Sequence, residues 1–478
     1  MKSSRLSRSI AAITCASALA LPLALFADES ELIDADTPAL ESENTTSTIK
    51  SAGSNQSLLP LEELRTFTKV YQHIRQDYVE DVTDAQLLEY AIKGMLAELD
   101  PHSSYLDQSS FEDLQENTTG EFGGLGVQIQ MGEDGLIKVI APIDDTPAKR
   151  AGVEAGDLIV KLADKPVKGM TQDEAIGMMK GVPGTAIKIT ILREGANQPI
   201  EFDIVRDVIK VASVRSRLLE SQYGYLRIAQ FQVNTGEDLK KEINKLSEEA
   251  EALKGLILDL RNNPGGVLGA SAEVVDVFLD QGLIVYTEGR IQGGDLRFEA
   301  NIGDITNGLP VVVLINGGSA SASEIVAGAL QDHRRAIILG TDSFGKGSVQ
   351  TVIPISEDRA IKLTTALYFT PSGRSIQAQG IKPDIFVELA RYTAIKPQLR
   401  TTEADLGNHL GNGNGGEENG SSKRDSSENS ATEILERDNQ LFEALNLLKG
   451  INVFTQGSQV KPTIARSESE TEPASSAH

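Results

Sequence analysis

The chain has 478 residues, and its 45 Lys and Arg against 69 Asp and Glu give a formal net charge of −24. This length exceeds what one hydrophobic core usually fills, so we expect several domains of a globular protein. The acidic balance argues against nucleic acid as the main partner. The single cysteine excludes disulfide scaffolds, and five histidines without an HExxH pattern leave little for a zinc enzyme. We therefore expect no metal and no cofactor.

The first residues are typical of an export signal. Residues 1–27 combine a basic start with a run of apolar and small residues, and an acidic segment follows. We place cleavage after Ala27, with a second candidate site at 18–20. An uncleaved membrane anchor is the alternative, which the short apolar run interrupted by Pro22 disfavours. Residues 28–59 are rich in Ser, Thr and acidic residues and predict a disordered lead-in.

Two small domains are predicted next. Apolar residues spaced by three and four positions after Pro60 predict two helices and an N-terminal helical domain over 60–110, with the second helix ending before Asp100. Alternating apolar and polar residues then predict strands, and the capping-box sequence starting at Thr171 predicts a helix. These elements form a second domain over 111–207.

An α/β core is predicted over 208–398, where strand-like and helical segments alternate. The strand-like segments are YGYLRIAQF, GLILDL, LPVVVLIN, RAIILG and AIKLTTALYF, and the helical ones lie near 236–254, 266–280 and 320–332.

The remainder of the chain is a predicted linker, helix and tail. Residues 399–432 are rich in Gly, Asn and Ser and predict a linker. An amphipathic helix over 433–455 either docks on its own core or mediates oligomerisation, and residues 456–478 are predicted to be disordered. One face of this helix carries Ile434, Leu441, Leu445 and Leu448.

The segment from Gly340 to Lys346 nearly matches a phosphate-binding loop. That motif needs Ser or Thr after the lysine to hold magnesium, and this chain has Gly347 there. A β-rich VQTVIPI follows where the motif requires a helix. The sequence therefore disfavours nucleotide binding.

The SASASE segment at 319–324 separates a predicted strand from a predicted helix. Ser321 and Glu324 together match a capping box, which is a purely structural role. A serine at a helix N-terminus also lies near free N–H groups and the positive end of the helix dipole, which suit a developing oxyanion. A nucleophilic role is thus the alternative, although no histidine motif supplies a base and His333 has no partner that the sequence identifies.

Lysine can replace histidine as the base when burial lowers its pKa from a reference value near 10.4. Lys346, flanked by Gly345 and Gly347, is the best-placed candidate. If GKGSVQ forms a helical turn, Gln350 lies beside Lys346 and its amide can orient the amine. In an extended strand the two residues would lie about 13 Å apart. We therefore predict a helical turn over 345–350.

Several motifs together resemble one protein family. SASASE, FGKGSVQ and DLRNNPGG at 259–266, with LDPHSSYL at 99–106 and GEFGGLGV at 120–127, resemble the carboxyl-terminal processing proteases, or tail-specific proteases. The resemblance runs from about residue 61 to residue 387. It implies a multidomain α/β fold: a Clp protease/crotonase-like protease core over 208–398, an inserted PDZ domain over 111–207 and the N-terminal helical domain.

The resemblance also implies roles for individual residues. Ser321 is implied as the nucleophile, because its separation from Lys346 is the one the family has for the middle serine of the three. Lys346 is then the general base and Gln350 its orienting partner. The implied oxyanion hole consists of backbone N–H groups at Gly266 and Ala322, and an ordinary strand-to-helix turn is the alternative reading of the glycine.

A peptide-binding loop is implied in the PDZ domain, where successive N–H groups hold a terminal carboxylate and the next strand pairs with the peptide. A common turn is the alternative. The loop comprises Gly123, Gly124, Leu125, Gly126 and Val127. Arg193 or Arg206 is a candidate for coupling this domain to the core, and an ordinary solvated charge is the alternative for each.

The function implied is that of a periplasmic serine endopeptidase that cleaves proteins near their C-terminus after PDZ capture of the tail. The implied partners are protein or peptide substrates with accessible C-termini, including envelope proteins, and a lipoprotein adaptor is a candidate. We further expect a homo-oligomer that binds no nucleic acid. A catalytically silent PDZ scaffold is the alternative, and cleavage by the wild-type chain distinguishes the two.

Overall fold

The computed structural model describes residues 60–132, 135–291, 293–391, 410 and 437–457. The predicted signal and lead-in, and nearly all of the predicted linker and tail, lie outside these residues. The chain divides into two units, Met1–Tyr78 and Val79–His478. The first unit contains helix α1 (Leu61–Asp77), which begins directly after Pro60 and has Glu62 and Glu63 in its first turn.

The second unit contains all other described elements. Its helices are α2 (Asp84–Ala97), α3 (Gln108–Thr119), α4 (Pro147–Ala151), α5 (Gln172–Met179), α6 (Thr235–Glu249), α7 (Leu268–Asp276), α8 (Ala322–Asp332) and α9 (Asn439–Gly457). Its first strands are β1 (Ser104–Leu106), β2 (Glu121–Gly124), β3 (Val127–Met131), β4 (Ile137–Pro142), β5 (Leu158–Leu162), β6 (Lys165–Pro166), β7 (Ala186–Leu192), β8 (Ile200–Val205) and β9 (Asp207–Lys210). The later strands are β10 (Val214–Leu219), β11 (Tyr223–Ile228), β12 (Gly255–Asp259), β13 (Leu283–Gly289), β14 (Arg297–Glu299), β15 (Val311–Ile315), β16 (Ala336–Gly340), β17 (Ser348–Pro354), β18 (Ala360–Phe369) and β19 (Ile385–Phe386).

The middle domain is an antiparallel sheet in the order β3-β4-β5-β7-β8, with β6 paired to β5. Its inward residues, such as Ile137, Ile159 and Ile189, are fully buried. The predicted capping box is confirmed, because the Thr171 hydroxyl accepts from the Glu174 N–H and the Glu174 carboxylate accepts from the Thr171 N–H. Strand β3 lies at an edge of the sheet, which leaves one side of it unpaired within the sheet.

The core contains a six-stranded sheet in the order β10-β11-β12-β15-β16-β19, which is parallel from β11 onward. Every residue of β12 and β15 is buried, as expected for a parallel sheet covered on both faces. Leu256 and Leu258 pack with α6, α7 and α8, whereas Ile257 packs with α9 on the opposite face. The alternation of inward residues along β12 thus explains the layered α/β architecture that the sequence predicts.

Helix α9 docks on its own core. Leu441, Leu445 and Leu448 are at most 2% exposed and pack against the parallel sheet. Arg261, which follows β12, donates to both carboxylate oxygens of Asp438 at 2.8 and 2.7 Å. These contacts support the docked alternative for this helix over the oligomerisation alternative.

A second sheet has the order β1-β18-β13-β14, and β17 pairs with β18. Strand β1 pairs with the start of β18, so that Ser104 lies opposite Lys362. Strand β1 lies within the predicted N-terminal helical domain over 60–110, and its backbone pairs with a strand of the core. This pairing brings the LDPHSSYL segment next to strands that carry predicted site residues.

Candidate active site

Three loops of the predicted site follow the carboxyl ends of neighbouring parallel strands. DLRNNPGG follows β12, SASASE follows β15, and the loop containing Lys346 follows β16. Parallel strands present their carboxyl ends at one edge of a sheet, where ligands usually bind. The sheet order therefore explains how three distant motifs come together.

Ser321 lies directly before α8 in a strained backbone conformation, with φ 56° and ψ −114°. A positive φ at a residue other than glycine costs about 1–3 kcal/mol and is frequent at functional sites. The Glu324 carboxylate accepts from the Ser321 N–H at 2.8 Å, and the Glu324 N–H donates to the Ser321 carbonyl oxygen at 2.8 Å. Ser321 and Glu324 therefore pair at the start of α8 as the predicted capping box requires.

Ser321 differs from the other two serines of the motif in burial and hydrogen bonding. Ser319 is fully buried and its hydroxyl donates to the Leu260 carbonyl at 2.8 Å. Ser323 is fully buried and its hydroxyl donates to the Asn263 carbonyl at 2.9 Å. Only Ser321 of the three lines a cavity of about 350 Å³. Burial and hydrogen bonding thus favour the middle serine on physical grounds.

Glu324 joins the two halves of the predicted dyad and was assigned only a capping role from the sequence. Its fully buried carboxylate accepts from the backbone N–H of Lys346 at 2.9 Å and of Gly345 at 2.6 Å, and from the Ser343 hydroxyl at 2.5 Å. Burial raises the pKa of Glu324, and these hydrogen bonds oppose that rise. The sequence feature that could have indicated this wider role is the position of Glu324 as the last residue of the SASASE motif.

Lys346 is half-buried in the loop between β16 and β17. Burial lowers its pKa from the usual 10.5, and the Lys362 ammonium lowers it further, whereas the carboxylates of Asp100 and Glu324 act in the opposite direction. Because a lysine acts as a base only when neutral, this lowered pKa suits the predicted role.

Tyr368 lies between the nucleophile and the lysine loop, and nothing in the sequence pointed to it. Its hydroxyl is within hydrogen-bonding reach of the Ser321 side chain and donates to the Lys346 carbonyl. Both residues are described by the structure, and the Ser321 hydroxyl makes no hydrogen bond with the Lys346 amine. The Ser321 hydroxyl thus contacts Tyr368 rather than the Lys346 amine.

The prediction of a helical turn over 345–350 is wrong. Ser348–Pro354 forms strand β17, in which Gln350 lies opposite Thr364 of β18. The Gln350 amide donates to the Ser348 hydroxyl at 3.0 Å and to the Thr364 hydroxyl at 3.3 Å rather than to Lys346. Backbone pairing with β18 continues the β-rich segment VQTVIPI, and Gln350 lines the same cavity as Ser321.

The predicted oxyanion residues lie beside Ser321. A Cβ placed on Gly265 would lie 2.8 Å from the Ser321 Cβ, and one placed on Gly266 would lie 2.1 Å from the Phe231 carbonyl oxygen. Gly265 and Gly266 have φ values of 101° and 140°. The N–H groups of Gly266 and Ala322 donate to no other described residue, so both are available to an oxyanion.

The cavity beside Ser321 is largely apolar. Phe231, Val267, Ile325 and Val349 contribute its core walls, and Leu114 of α3 contributes a wall from outside the core. A volume of about 350 Å³ accommodates one or two side chains of a peptide. In the part of the chain that the structure describes, no cluster of three or more His, Cys, Asp or Glu could hold a metal ion.

The predicted peptide-binding loop divides into two parts. Gly123 and Gly124 belong to β2, which pairs with β9. The carbonyls of Leu125 and Gly126 accept from the N–H groups of Ala148 and Ile143, whereas their own N–H groups donate to no other described residue. These two N–H groups and the adjacent edge strand β3 together form a site suited to a terminal carboxylate.

Arg193 and Arg206 bond within the middle domain. Arg193 forms an ion pair with Asp157 at 2.8 Å, and Arg206 donates to the carbonyls of Met178 and Met179 at the end of α5. Neither contact reaches the core. Helix α3 makes the observed connection instead, because Glu116 pairs with Lys180 while the Thr118 carbonyl accepts from the Val233 N–H.

Comparisons with known proteins agree with the site. The profile of peptidase family S41 matches residues 222–387, the PDZ domain profile matches 123–204, and the profile of the activating protease CtpB N-terminal domain matches 24–110. A carboxy-terminal-processing protease of Bartonella bacilliformis is 48% identical over 407 residues, which are 84% of this chain and 92% of the relative. Carboxy-terminal processing protease CtpA of Bacillus subtilis is 36% identical over 329 residues, or 68% of this chain and 69% of the relative.

A solved structure of a photosystem II D1 C-terminal processing protease has 30% sequence identity and a TM-score of 0.39, covering 67% of this chain and 86% of that chain. The three family profiles and the two sequence relatives confirm the predicted family, the mixed α/β fold with its PDZ and N-terminal domains, and the serine-type peptidase class. The chain belongs to peptidase family S41 and is a serine-type peptidase of the carboxy-terminal processing proteases.

Proposed function

We propose that this chain is a periplasmic endopeptidase that captures a protein's C-terminal tail on its PDZ domain and cleaves near that end with a Ser321–Lys346 dyad. The observation that carries the proposal is the joint position of the two residues. Ser321 lies in a strained turn beside two free N–H groups, and its backbone is tied through Glu324 to a half-buried lysine with a lowered pKa.

The chemistry proceeds from neutral Lys346. Its amine takes the proton from the Ser321 hydroxyl, which leaves Tyr368 and attacks the peptide carbonyl carbon. The N–H groups of Gly266 and Ala322 stabilise the resulting oxyanion. The carbon–nitrogen bond then breaks, and the ammonium of Lys346 protonates the leaving amine. Neutral Lys346 next takes a proton from a water molecule, which attacks the acyl carbon; the bond from this carbon to the Ser321 oxygen breaks, and the lysine returns the proton to that oxygen.

Gln350 has an indirect role in this scheme. Its amide is bonded to Ser348 and Thr364, so it forms part of the wall of the cavity next to the lysine loop. The largely apolar lining supports a preference for an apolar side chain at the residue whose carbonyl is attacked.

Capture of the tail is supported by the PDZ domain itself. The free N–H groups of Leu125 and Gly126 suit the terminal carboxylate, and the edge strand β3 suits backbone pairing with the preceding residues. Export is supported by residues 1–27, and envelope proteins, a lipoprotein adaptor and a homo-oligomer are the partners proposed. Among the described residues, no helix is long and apolar enough to cross a bilayer.

The test compares wild type with Ser321→Ala and Lys346→Ala on an unstructured protein substrate with a free or an amidated C-terminus. We expect cleavage by wild type alone, and faster cleavage of the free-carboxylate substrate. Full activity in either variant overturns the dyad, and equal rates on both substrates overturn capture of the terminus. Binding of C-terminal peptides without any cleavage by wild type would instead support the silent scaffold. Cell fractionation of the full chain tests the periplasmic location.

A further inference from the structure

The LDPHSSYL segment at 99–106 has no role in the proposed chemistry, yet it enters the active-site region. Strand β1 pairs with β18 so that Ser104 lies opposite Lys362. On its other side β18 pairs with β17, where Thr364 lies opposite Gln350. The loop between α2 and β1 therefore ends next to the strand pair that carries Gln350.

Asp100 is the end of a chain of hydrogen bonds that starts at Gln350. The Gln350 amide donates to the Thr364 hydroxyl at 3.3 Å, and that hydroxyl donates to the Asp100 carboxylate at 3.0 Å. A threonine hydroxyl has one proton to donate, and the carboxylate can only accept when ionised. The direction of both bonds is therefore set by the charge on Asp100.

The Asp100 carboxylate is itself firmly held. It accepts from the N–H groups of His102 and Ser103 at 2.8 and 3.0 Å and from the Ser103 hydroxyl at 2.6 Å. The Ser103 hydroxyl in turn accepts from the Thr364 N–H at 3.1 Å. These hydrogen bonds, led by that of the Ser103 hydroxyl, lower the pKa of Asp100 to about 2, so the group is charged wherever the protein is folded and active.

Lys346 is surrounded by charged groups from several elements. Lys362 of β18 lowers its pKa, whereas Asp100 before β1 and Glu324 of α8 oppose that effect. Burial lowers the pKa of His102, and both lysines lower it further, so this side chain adds no positive charge at neutral pH. Tyr368 is buried with its pKa raised, so it is neutral there too.

We propose that Asp100 is a positioning residue of the active site: through Thr364 it fixes the amide of Gln350 in the wall of the cavity that Ser321 lines, and together with Lys362, which lines the same cavity, it sets the charge near Lys346. The proposal rests on the proposed Ser321–Lys346 chemistry. It assigns the LDPHSSYL segment to the catalytic apparatus of the core, although the segment precedes the PDZ domain in the chain.

The experiment measures the rate at which a small sulfonyl fluoride inactivates the full chain, as a function of pH. This reagent reacts at the nucleophilic serine and requires no capture by the PDZ domain. The variants are Asp100→Asn, Lys362→Gln, Thr364→Val and Thr364→Ser, with Ser321→Ala as the blank. Asp342→Asn is the matched control for Asp100→Asn, and Lys382→Gln is the matched control for Lys362→Gln, because each control changes the net charge by the same amount as its partner variant. The Asp342 and Lys382 side chains are exposed, and neither is among the groups that shift the pKa of Lys346.

The two charge changes have opposite expected signs. The inactivation rate rises with pH as Lys346 loses its proton. The negative charge of Asp100 favours the protonated lysine, so removing this charge should move the rise in rate to lower pH. Removing the positive charge of Lys362 moves it to higher pH. We expect shifts of about 0.5–1 pH unit for these partly exposed charges. The matched controls should leave the pH at which the inactivation rate rises unchanged.

The threonine pair tests the hydrogen-bond chain. Thr364→Val removes the hydroxyl between Gln350 and Asp100 and should lower the plateau rate about tenfold, whereas Thr364→Ser keeps the hydroxyl and should restore it. A loss through general destabilisation would appear in both variants or in their thermal unfolding.

The outcomes separate this proposal from the dyad itself. Inactivation of Ser321→Ala at the wild-type rate overturns the dyad. If Ser321→Ala is inert while Asp100→Asn and Lys362→Gln keep the wild-type pH profile, or shift it in the same direction, the role of Asp100 is overturned and the dyad stands. If Asp100→Asn does not fold, an unmoved profile in Lys362→Gln together with a wild-type rate in Thr364→Val overturns the proposal.

Discussion

The backbone N–H groups of Ser321 and Lys346 donate to the same atom, Oε2 of Glu324, at 2.8 and 2.9 Å. One buried carboxylate oxygen thus fixes the distance between the backbones of the proposed nucleophile and the proposed base. Because Glu324 is fully buried, its geometry is set by these bonds rather than by solvent.

Replacing Glu324 should disrupt both halves of the site. In Glu324→Gln the amide nitrogen faces backbone N–H donors that it cannot bond, so we expect a loss of about 2–5 kcal/mol in the free energy of unfolding and at least a tenfold drop in cleavage rate. Denaturant unfolding and peptide hydrolysis measure the two effects. Ser343→Ala removes a single donor to this carboxylate and should have a smaller effect on both. Wild-type activity in Glu324→Gln would show that the shared carboxylate is dispensable.

Lys346 should destabilise the fold at neutral pH. Its pKa is lowered in the folded state from 10.5, so the unfolded chain binds more protons between the two values and stability rises with pH across that window. Below the lowered pKa the unfavourable contribution is fully present, and above 10.5 it disappears. Lys346→Met should therefore raise the midpoint of thermal unfolding at neutral pH. This gain should shrink as the pH approaches 10.5, the pKa of the lysine in the unfolded chain.

The exposed Lys382→Met serves as the control for the lysine experiment and should leave the unfolding midpoint unchanged. A midpoint that falls in Lys346→Met at every pH would mean that packing of the lysine stem outweighs the burial of its charge.

A side chain at Gly266 should abolish the oxyanion site. The residue has φ 140°, and a Cβ would lie 2.1 Å from the Phe231 carbonyl oxygen, so the loop must move. Because this loop supplies one of the two free N–H groups, we expect Gly266→Ala to lower kcat by about 10²–10³. Gly269→Ala is the matched control: its Cβ meets open space in α7, and it should keep kcat and stabilise the helix by about 0.5–1 kcal/mol. Equal kcat values in the two variants would refute the oxyanion assignment.

The PDZ loop should tolerate no side chain at Gly126. Its φ is 77°, and a Cβ would lie 2.3 Å from the Thr146 Cβ. We expect Gly126→Ala to weaken binding of a free C-terminal peptide at least tenfold, because the loop whose N–H groups suit the carboxylate is displaced. Gly135→Ala also has a positive φ but meets open space, so it controls for strain alone. Fluorescence titration measures binding, and an amidated peptide should bind both variants equally weakly.

Local sequence was sufficient for the elements and motifs. The residues of β12, β15 and β16 are predominantly apolar, which predicts buried parallel strands, and the structure has these strands within one or two residues of the predicted segments. The position of Ser321 before α8 likewise follows from the small residues and the glutamate that begin that helix. These features depend on residues close together in the chain, so sequence patterns contain them.

Contacts between distant segments decided the rest. Strand pairing of β17 with β18 turned Gln350 away from the expected helical turn and toward Thr364, and pairing of β1 with β18 brought Asp100 to the same place. The composition had suggested an acidic globular protein of several domains without cysteine chemistry, and the sequence by itself determined those domains and the motif that contains the proposed nucleophile. Only the tertiary structure decided which serine hydroxyl is left unburied and which carboxylates surround the lysine, because burial and hydrogen bonding depend on packing between residues far apart in the chain.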